Sequence, residues 1–220
     1  MMPTPTVMRL PARSLLRTGE VDYAAWNYRA LLGAIVRARY KLVVALLGTR
    51  RFRRILEVGY GSGVFMPELH RRCDELYGVD VHHRPDAVAT TLAAHGVRAV
   101  LSAASATRLP FPDGFADCVV AVSALEFIDD LDAACAEIAR VLTPDGVFIV
   151  VTPGRSAIAD SGLRLLTGKR ARADFGDRRE RVLPTLRTRF AVERQLTVPR
   201  FGGPALRLYT ALRLRPRCEH

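Results

Sequence analysis

Residues 55–63 read Ile-Leu-Glu-Val-Gly-Tyr-Gly-Ser-Gly. A short run of strand type enters three glycines at alternate positions, and a helical pattern continues from Val64 to Arg72. Glycines between a strand and a helix let backbone N–H groups face a ligand at the helix N-terminus. The next apolar run, Leu76–Val81, contains Asp80, 21 residues after Gly59. A carboxylate at the end of a second strand can accept both hydroxyls of a ribose. Loop and acid together predict a site for an adenosine-bearing cofactor; the plain alternative is a tight turn beside a solvated acid. A nicotinamide fingerprint would need its third glycine where Val64 stands, and here that glycine comes one residue early, at Gly63.

Outward from this loop, strand and helix patterns alternate. Pro85 suits the first turn of a helix that stops at Gly96, and Ala99–Ser102 is a short strand. Cys118–Ala124 is strongly apolar, as a strand buried on both faces should be. Leu131, Ala134, Cys135, Ile138, Val141 and Leu142 recur at helical spacing, Pro144-Asp145-Gly146 turns the chain, and Val147–Thr152 is the fifth strand. In the tail, Phe190, Val192, Leu196 and Val198 alternate with polar residues, as do Leu206, Leu208, Leu212 and Leu214, around a Gly202-Gly203-Pro204 break. The pattern predicts an α/β fold: a doubly wound, mostly parallel, seven-stranded sheet ending in a hairpin whose last strand is antiparallel. Residues 155–189 read as charged and irregular, with a short helical pattern near Ile158–Leu166. Tyr23 to Leu47 reads as one or two helices. The first 19 residues hold Pro3, Pro5 and Pro11 and no continuous apolar stretch, which argues for a floppy leader and against a secretory signal; a transit peptide is the alternative.

The 220 residues are 49% hydrophobic, enough for one domain with a sizeable core. No uncharged apolar run reaches the roughly 18 residues of a membrane span. The nearest, Leu31–Leu47, is interrupted by Arg37, Arg39 and Lys41. Cys73, Cys118, Cys135 and Cys218 share no metal or redox spacing; Cys118 and Cys135 read as core residues, no metal site is expected, and a reducing cytoplasm is the expected location. Charge is segregated: 11 basic and 2 acidic side chains in residues 1–54, 6 and 14 in 55–152, 16 and 6 in 153–220. The basic ends point to an anionic partner (a carboxylate or phosphate, a nucleic acid, a lipid surface) or to a solvated surface.

The stretch Glu57-Val58-Gly59-Tyr60-Gly61-Ser62-Gly63 resembles the first motif of class I S-adenosylmethionine-dependent methyltransferases, acid-x-G-x-G-x-G. Leu109-Pro110-Phe111-Pro112-Asp113-Gly114-Phe115-Ala116-Asp117 is similar to that family's run before its fourth strand. Ser123-Ala124-Leu125-Glu126-Phe127 stands where the family approaches the methyl donor, and Val141-Leu142-Thr143-Pro144-Asp145-Gly146 resembles its turn before strand five. The resemblance spans about residues 53–152, and the antiparallel last strand extends it to 214. It implies a Rossmann-like methyltransferase fold, with a leader and helical cap over 1–52, a cofactor-binding core over 53–152, and an acceptor-side insert and C-terminal hairpin over 153–220. It also implies S-adenosylmethionine as cofactor. Glu57 would orient the loop and the methionine end, Gly59, Tyr60 and Gly61 would line the methionine, and Asp80 would hold the ribose. Val81 would flank the adenine, and Ser105 and Ala106 would lie against the adenine amine, Ser105 replacing the family's usual acid. Ser123 would face the sulfonium.

Methyl transfer from a sulfonium needs alignment and a dry pocket, and a base only where the acceptor must lose a proton. Glu126 is the candidate catalytic residue, as a base or an anionic stabiliser; the competing reading is a solvated loop acid beside Asp129 and Asp130, which would cap the next helix. His82-His83 reads as an adenine-side surface pair. Tyr23, Trp26 and Tyr28 suit a lid over the acceptor, or plain helix packing. The helix carrying Arg37 and Lys41 could lie on a membrane surface. Arg155 could meet an acceptor anion or be a rim charge. The reading is a methyltransferase of a small-molecule acceptor, with an RNA methyltransferase, a catalytically silent scaffold and a nicotinamide oxidoreductase as rivals. Oligomeric state leaves no signal in the sequence.

Overall fold

The computed structural model describes residues 7–19, 24–154, 178–201 and 203–217. Among these residues seven strands are present: β1 Phe52–Val58, β2 Cys73–Asp80, β3 Val100–Ala103, β4 Ala116–Val122, β5 Leu142–Pro153, β6 Phe190–Val198 and β7 Tyr209–Pro216. They form one sheet in the order β3-β2-β1-β4-β5-β7-β6. The first five run parallel, and β7 is antiparallel to both its neighbours. The order reverses between β1 and β4, the switch point where open α/β sheets bind ligands at the carboxyl ends of their strands. The turn expected at Pro144-Asp145-Gly146 lies inside β5. The β4–β5 register jumps from Ala116↔Leu142 to Cys118↔Val147, so residues 143–146 bulge out of the ladder.

Helices cover both faces: α1 Ala30–Leu47, α2 Met66–His70, α3 Pro85–Ala93, α4 Leu131–Val141 and α5 Arg178–Arg189; Gly203–Leu206 adds one turn, α6. Side chains alternate across a strand. Ile55, Val120, Ile149 and Ala211 therefore pack with α1, α2 and α3, through Val43, Leu47, Met66, Leu69, Val88 and Leu92. Leu56, Val119, Phe148 and Leu212 pack with α4 and α5, through Ala134, Ile138, Val182 and Leu186. The alternation puts Glu57 on the α1 face, with Ile55.

Local signals account for the helix ends. Asp130 caps α4, its side chain accepting the N–H of Ala133 at 2.9 Å. Asp129 does not share that role; it pairs with Arg178 of α5 at 2.7 Å. Gly48, at φ 68°, ends α1, and the Leu46 carbonyl accepts Arg213 Nη1 at 2.9 Å from β7. Such pairings run across the sequence. Arg51–Asp74, Arg54–Glu75 and Arg189–Asp132, at 2.8, 2.8 and 3.2 Å, fold the basic ends onto the acidic middle.

Four sequence expectations need correction. The helix expected over Val64–Arg72 is only Met66–His70, because the glycine turn extends through Phe65. Residues 178–189, read as irregular, form α5 despite Pro184 inside it, since Val182 and Leu186 bury against the sheet; Ile158–Leu166 lies outside the described residues. Leu206 and Leu208 precede the last strand, which begins at Tyr209. Finally, residues 7–19 are not floppy. Leu10 is 1% exposed and donates its N–H to the Val64 carbonyl at 3.2 Å, Met8 donates to Glu68 Oε2 at 2.8 Å, and the Tyr28 hydroxyl donates to the Leu10 carbonyl. This strap runs along the glycine-loop side of the sheet, and its end, Thr18 and Gly19, lines the cavity described next.

Candidate active site

A cavity of about 580 Å³ opens at the carboxyl ends of β1, β2 and β4. Glu57, Gly59, Tyr60, Gly61, Asp80, Val81, Ser105, Ala106, Ser123 and Glu126 all line it. The topology brings them together: each belongs to a parallel strand near the switch point or to the loop that leaves it.

The glycine loop is shaped by left-handed backbone. Gly59 and Gly61 have φ 77° and 52°, and a Cβ on Gly59 would stand 2.4 Å from the Ala124 Cβ, so β1 and β4 exits touch there through glycine alone. A Cβ on Gly61 would point into open space, toward the cavity it lines. Gly61 is gripped at both ends: Asp80 Oδ2 accepts its N–H at 2.8 Å, and its carbonyl lies 3.0 Å from His82 Nε2. The Arg84 N–H donates to His82 Nδ1 at 3.1 Å, which leaves the ring proton on Nε2 as the donor to Gly61. The expected surface pair thus splits: His82 is a clamp on the loop, and His83 is exposed.

Val81, 70% exposed, forms an apolar rim just beyond Asp80. The Ser105 hydroxyl is taken up locally, 2.7 Å from Thr107 Oγ1, while Ala106 is buried. Ser123, at φ 54°, is a non-glycine residue in the left-handed region, and its hydroxyl is buried without a partner. Ten buried side-chain polar atoms lack a partner among the described residues. Seven of them line this cavity: Arg39 Nε, Glu57 Oε2, Tyr60 Oη, Ser62 Oγ, Ser123 Oγ and both oxygens of Glu126. Native interiors leave few such groups, and they concentrate where a ligand completes them.

Glu126 is 1% exposed, on a short 3-10 turn after β4, which overturns the solvated-acid reading. Burial raises its carboxyl pKa to about 7, opposed first by its own backbone N–H and then by Arg39 and Arg179. Burial, and then Asp80, raise Glu57 to about 8, with Arg39 opposing.

Arg39, which the sequence reading passed over for Arg37 and Lys41, lines the cavity from α1. It sits two residues, or about 200°, from either of them on a helix. Its signal was its place in the apolar stripe of Leu32, Val36 and Val43. Arg37 instead donates to the Asn27 carbonyl. Trp26 also lines the cavity, Tyr28 holds the strap, and Tyr23 and Arg155 lie outside the described residues. No helix among the described residues is long and apolar enough to cross a membrane.

A family model described as a methyltransferase domain matches residues 56–150. The chain is 30% identical over 132 residues to the uncharacterized methyltransferase YdaC of Bacillus subtilis, covering 59% of this chain and 72% of that protein. It is also 30% identical over 144 residues to the malonyl-(acyl-carrier protein) O-methyltransferase of Geobacter sulfurreducens, covering 64% of this chain and 52% of that protein. The chain belongs to the class I S-adenosylmethionine-dependent methyltransferases. It spans about half the length of the Geobacter relative. Among solved structures, the N-methyltransferase NodS of Bradyrhizobium japonicum in complex with S-adenosylhomocysteine shares the fold, with a TM-score of 0.64 at 16% identity over 91% of this chain and 94% of that one.

The site fits the family's cofactor, S-adenosylmethionine. The open space over Gly61 admits a ligand against the backbone, and Glu57, Asp80 and Ser123 line the same cavity, where they would hold it.

Proposed function

We propose that this chain transfers a methyl group from S-adenosylmethionine to a small-molecule acceptor that is anionic or lipid-like. The observation that carries the reading is the cavity itself. Residues from 57 to 126 converge on one cavity at the switch point, and most of the side chains that carry an unpartnered buried polar atom belong to its lining.

When bound, the cofactor supplies a methyl group made electrophilic by its sulfonium. Asp80 accepts the backbone N–H of Gly61 on Oδ2 and that of His82 on Oδ1, the latter at 3.3 Å, and would hold the ribose hydroxyls with the oxygen capacity left. Glu57 and Ser123 would bind the methionine end, Gly59, Tyr60 and Gly61 would line it, and Val81 and Ala106 would cover the adenine faces. Ser105, its hydroxyl turned to Thr107, contributes backbone and shape more than a side-chain bond. Glu126 stands on the acceptor side of β4. A carboxyl near pKa 7 can hold or release a proton at neutrality, which suits a base for an acceptor that must lose one. The aliphatic side chains of Leu32, Ile35 and Val36 exclude water from that end. The largely apolar wall of the cavity, and the pairing of basic ends with acidic partners, favour a small molecule over RNA.

Calorimetric titration with S-adenosylhomocysteine and with NAD tests this. Binding of the first in preference to the second is expected. Binding of NAD alone would end the methyltransferase reading.

A further inference from the structure

We infer that the acceptor carries a carboxylate on an apolar body, and that Arg39 is the residue that receives it; this rests on the methyl-transfer reading above. Arg39 reaches the cavity from the buried stripe of α1. Its guanidinium lies 4.9 Å over the ring of Tyr40 and donates through Nη2 to the Tyr40 hydroxyl at 3.1 Å. Tyr40 in turn stacks on Phe65, ring centroids 4.6 Å apart and planes 8° from parallel. The guanidinium plane is therefore fixed before any ligand arrives, and little freedom is lost on binding. Its Nε–H is buried and unpartnered.

Arg39 is part-buried, with its Nε covered; its guanidinium stays charged, and a charge withdrawn from water without an acid to pair with is costly. The nearby acids do not pair with it. Both oxygens of Glu126 and one of Glu57 are unpartnered. Both acids are held well above the usual carboxylate range, so much of their population is neutral near pH 7. The inner wall is left with a cation that wants an anion. Arg179 lines the same cavity, with its Nε on the Pro153 carbonyl at 3.4 Å.

A guanidinium edge matches the two oxygens of a carboxylate. Around it the walls are apolar: Leu32, Ile35 and Val36 from α1, and Phe127, Ile128 and Leu208 from the rim. Head and wall together describe an amphiphilic acid. Arg179 already gives its Nε to the Pro153 carbonyl, so the fixed guanidinium of Arg39 is the cation set for an acceptor, and one such group matches a monoanion better than a phosphate ester.

The test uses the full chain saturated with S-adenosylhomocysteine. A panel of straight-chain and aryl carboxylates is titrated alongside the matched primary amides and phosphate monoesters. Carboxylates should bind, and their amides should bind about 10- to 100-fold more weakly, the range for losing a hydrogen bond to a charged group. Arg39→Gln should close that gap, and Arg39→Lys should keep part of it. The amide comparison on the wild-type chain needs no variant, and retained S-adenosylhomocysteine binding shows that a variant is folded. The inference fails if no carboxylate in the panel binds, if amides bind equally, if phosphate esters bind more tightly, or if Arg39→Gln leaves the gap intact. Failure of S-adenosylhomocysteine itself to bind strikes the methyltransferase reading instead, so the two failures are distinct.

Discussion

Asp80 Oδ2 accepts the backbone N–H of Gly61 at 2.8 Å, so the acid that ends β2 also sets the shape of the loop that leaves β1. Asp80→Ala should therefore do two things. It should weaken S-adenosylhomocysteine binding by about 1.5–3 kcal/mol, the range for hydrogen bonds to a charged group. It should also lower the melting temperature, because the Gly61 N–H loses its acceptor. His82→Ala should loosen the loop with a smaller effect on affinity. Calorimetry and thermal melts of the two variants separate these effects. Wild-type affinity in Asp80→Ala would refute the ribose assignment.

The two loop glycines should fail differently. Gly59→Ala places a Cβ 2.4 Å from the Ala124 Cβ on a backbone at φ 77°, so the fold should suffer first. Gly61→Ala meets only open space, and its backbone penalty is about 1–2 kcal/mol. Its main loss should be cofactor affinity. Thermal melts that rank Gly61→Ala as the more destabilising would contradict this.

Glu126→Gln keeps the side chain's shape and removes its ionisation. Single-turnover methyl transfer should slow by about 10²–10⁴-fold with cofactor affinity little changed. In the wild type the rate should rise with pH through about 7, as the carboxyl loses its proton; the variant should lack that limb. Asp130→Ala is the control, since it removes the α4 cap and should cost about 1 kcal/mol of stability with little effect on rate. A Glu126→Gln rate within about threefold of wild type would exclude a base role.

The same buried acids predict a pH-dependent stability. Both carboxyls ionise near 4.5 in the unfolded chain and near 7 and 8 in the folded one. Between these values the folded state holds more protons, so stability falls as pH rises from about 4.5 to about 8 and levels off outside that window. For Glu126 the fall is about 3 kcal/mol, at about 1.4 kcal/mol per pH unit. Urea unfolding at pH 5 and pH 8.5 should show a smaller decline in Glu126→Gln than in the wild type. Equal declines would place Glu126 in a more polar setting than the structure gives it.

The sheet was legible because its strands are punctuated locally: glycines after β1, an acid ending β2, an unbroken apolar run in β4. The cavity's β-strand wall was legible for the same reason, since residues 57–63, 80 and 123–126 sit at fixed offsets from strand ends. The strap over residues 7–19 was not, because its anchors are Val64 and Glu68, far along the chain, while its own prolines suggest looseness. Arg39 was hidden by chemistry: a charge inside an apolar stripe reads as an interruption until the facing cavity is known. Helix α5 was hidden by Pro184 and its arginines, which lower local propensity that tertiary burial of Val182 and Leu186 overrides.

The insertion of β7 between β5 and β6 bears on how the chain is assembled during synthesis. Strand β6 leaves the ribosome before β7, the strand it pairs with among the described residues. Until β7 follows, β5 presents an open apolar edge and β6 has no ladder to join, so the last third of the sheet closes as one late, concerted event. Any nascent chain arrested before residue 209 would expose that edge to other chains, and a chaperone's protection would matter most at that moment.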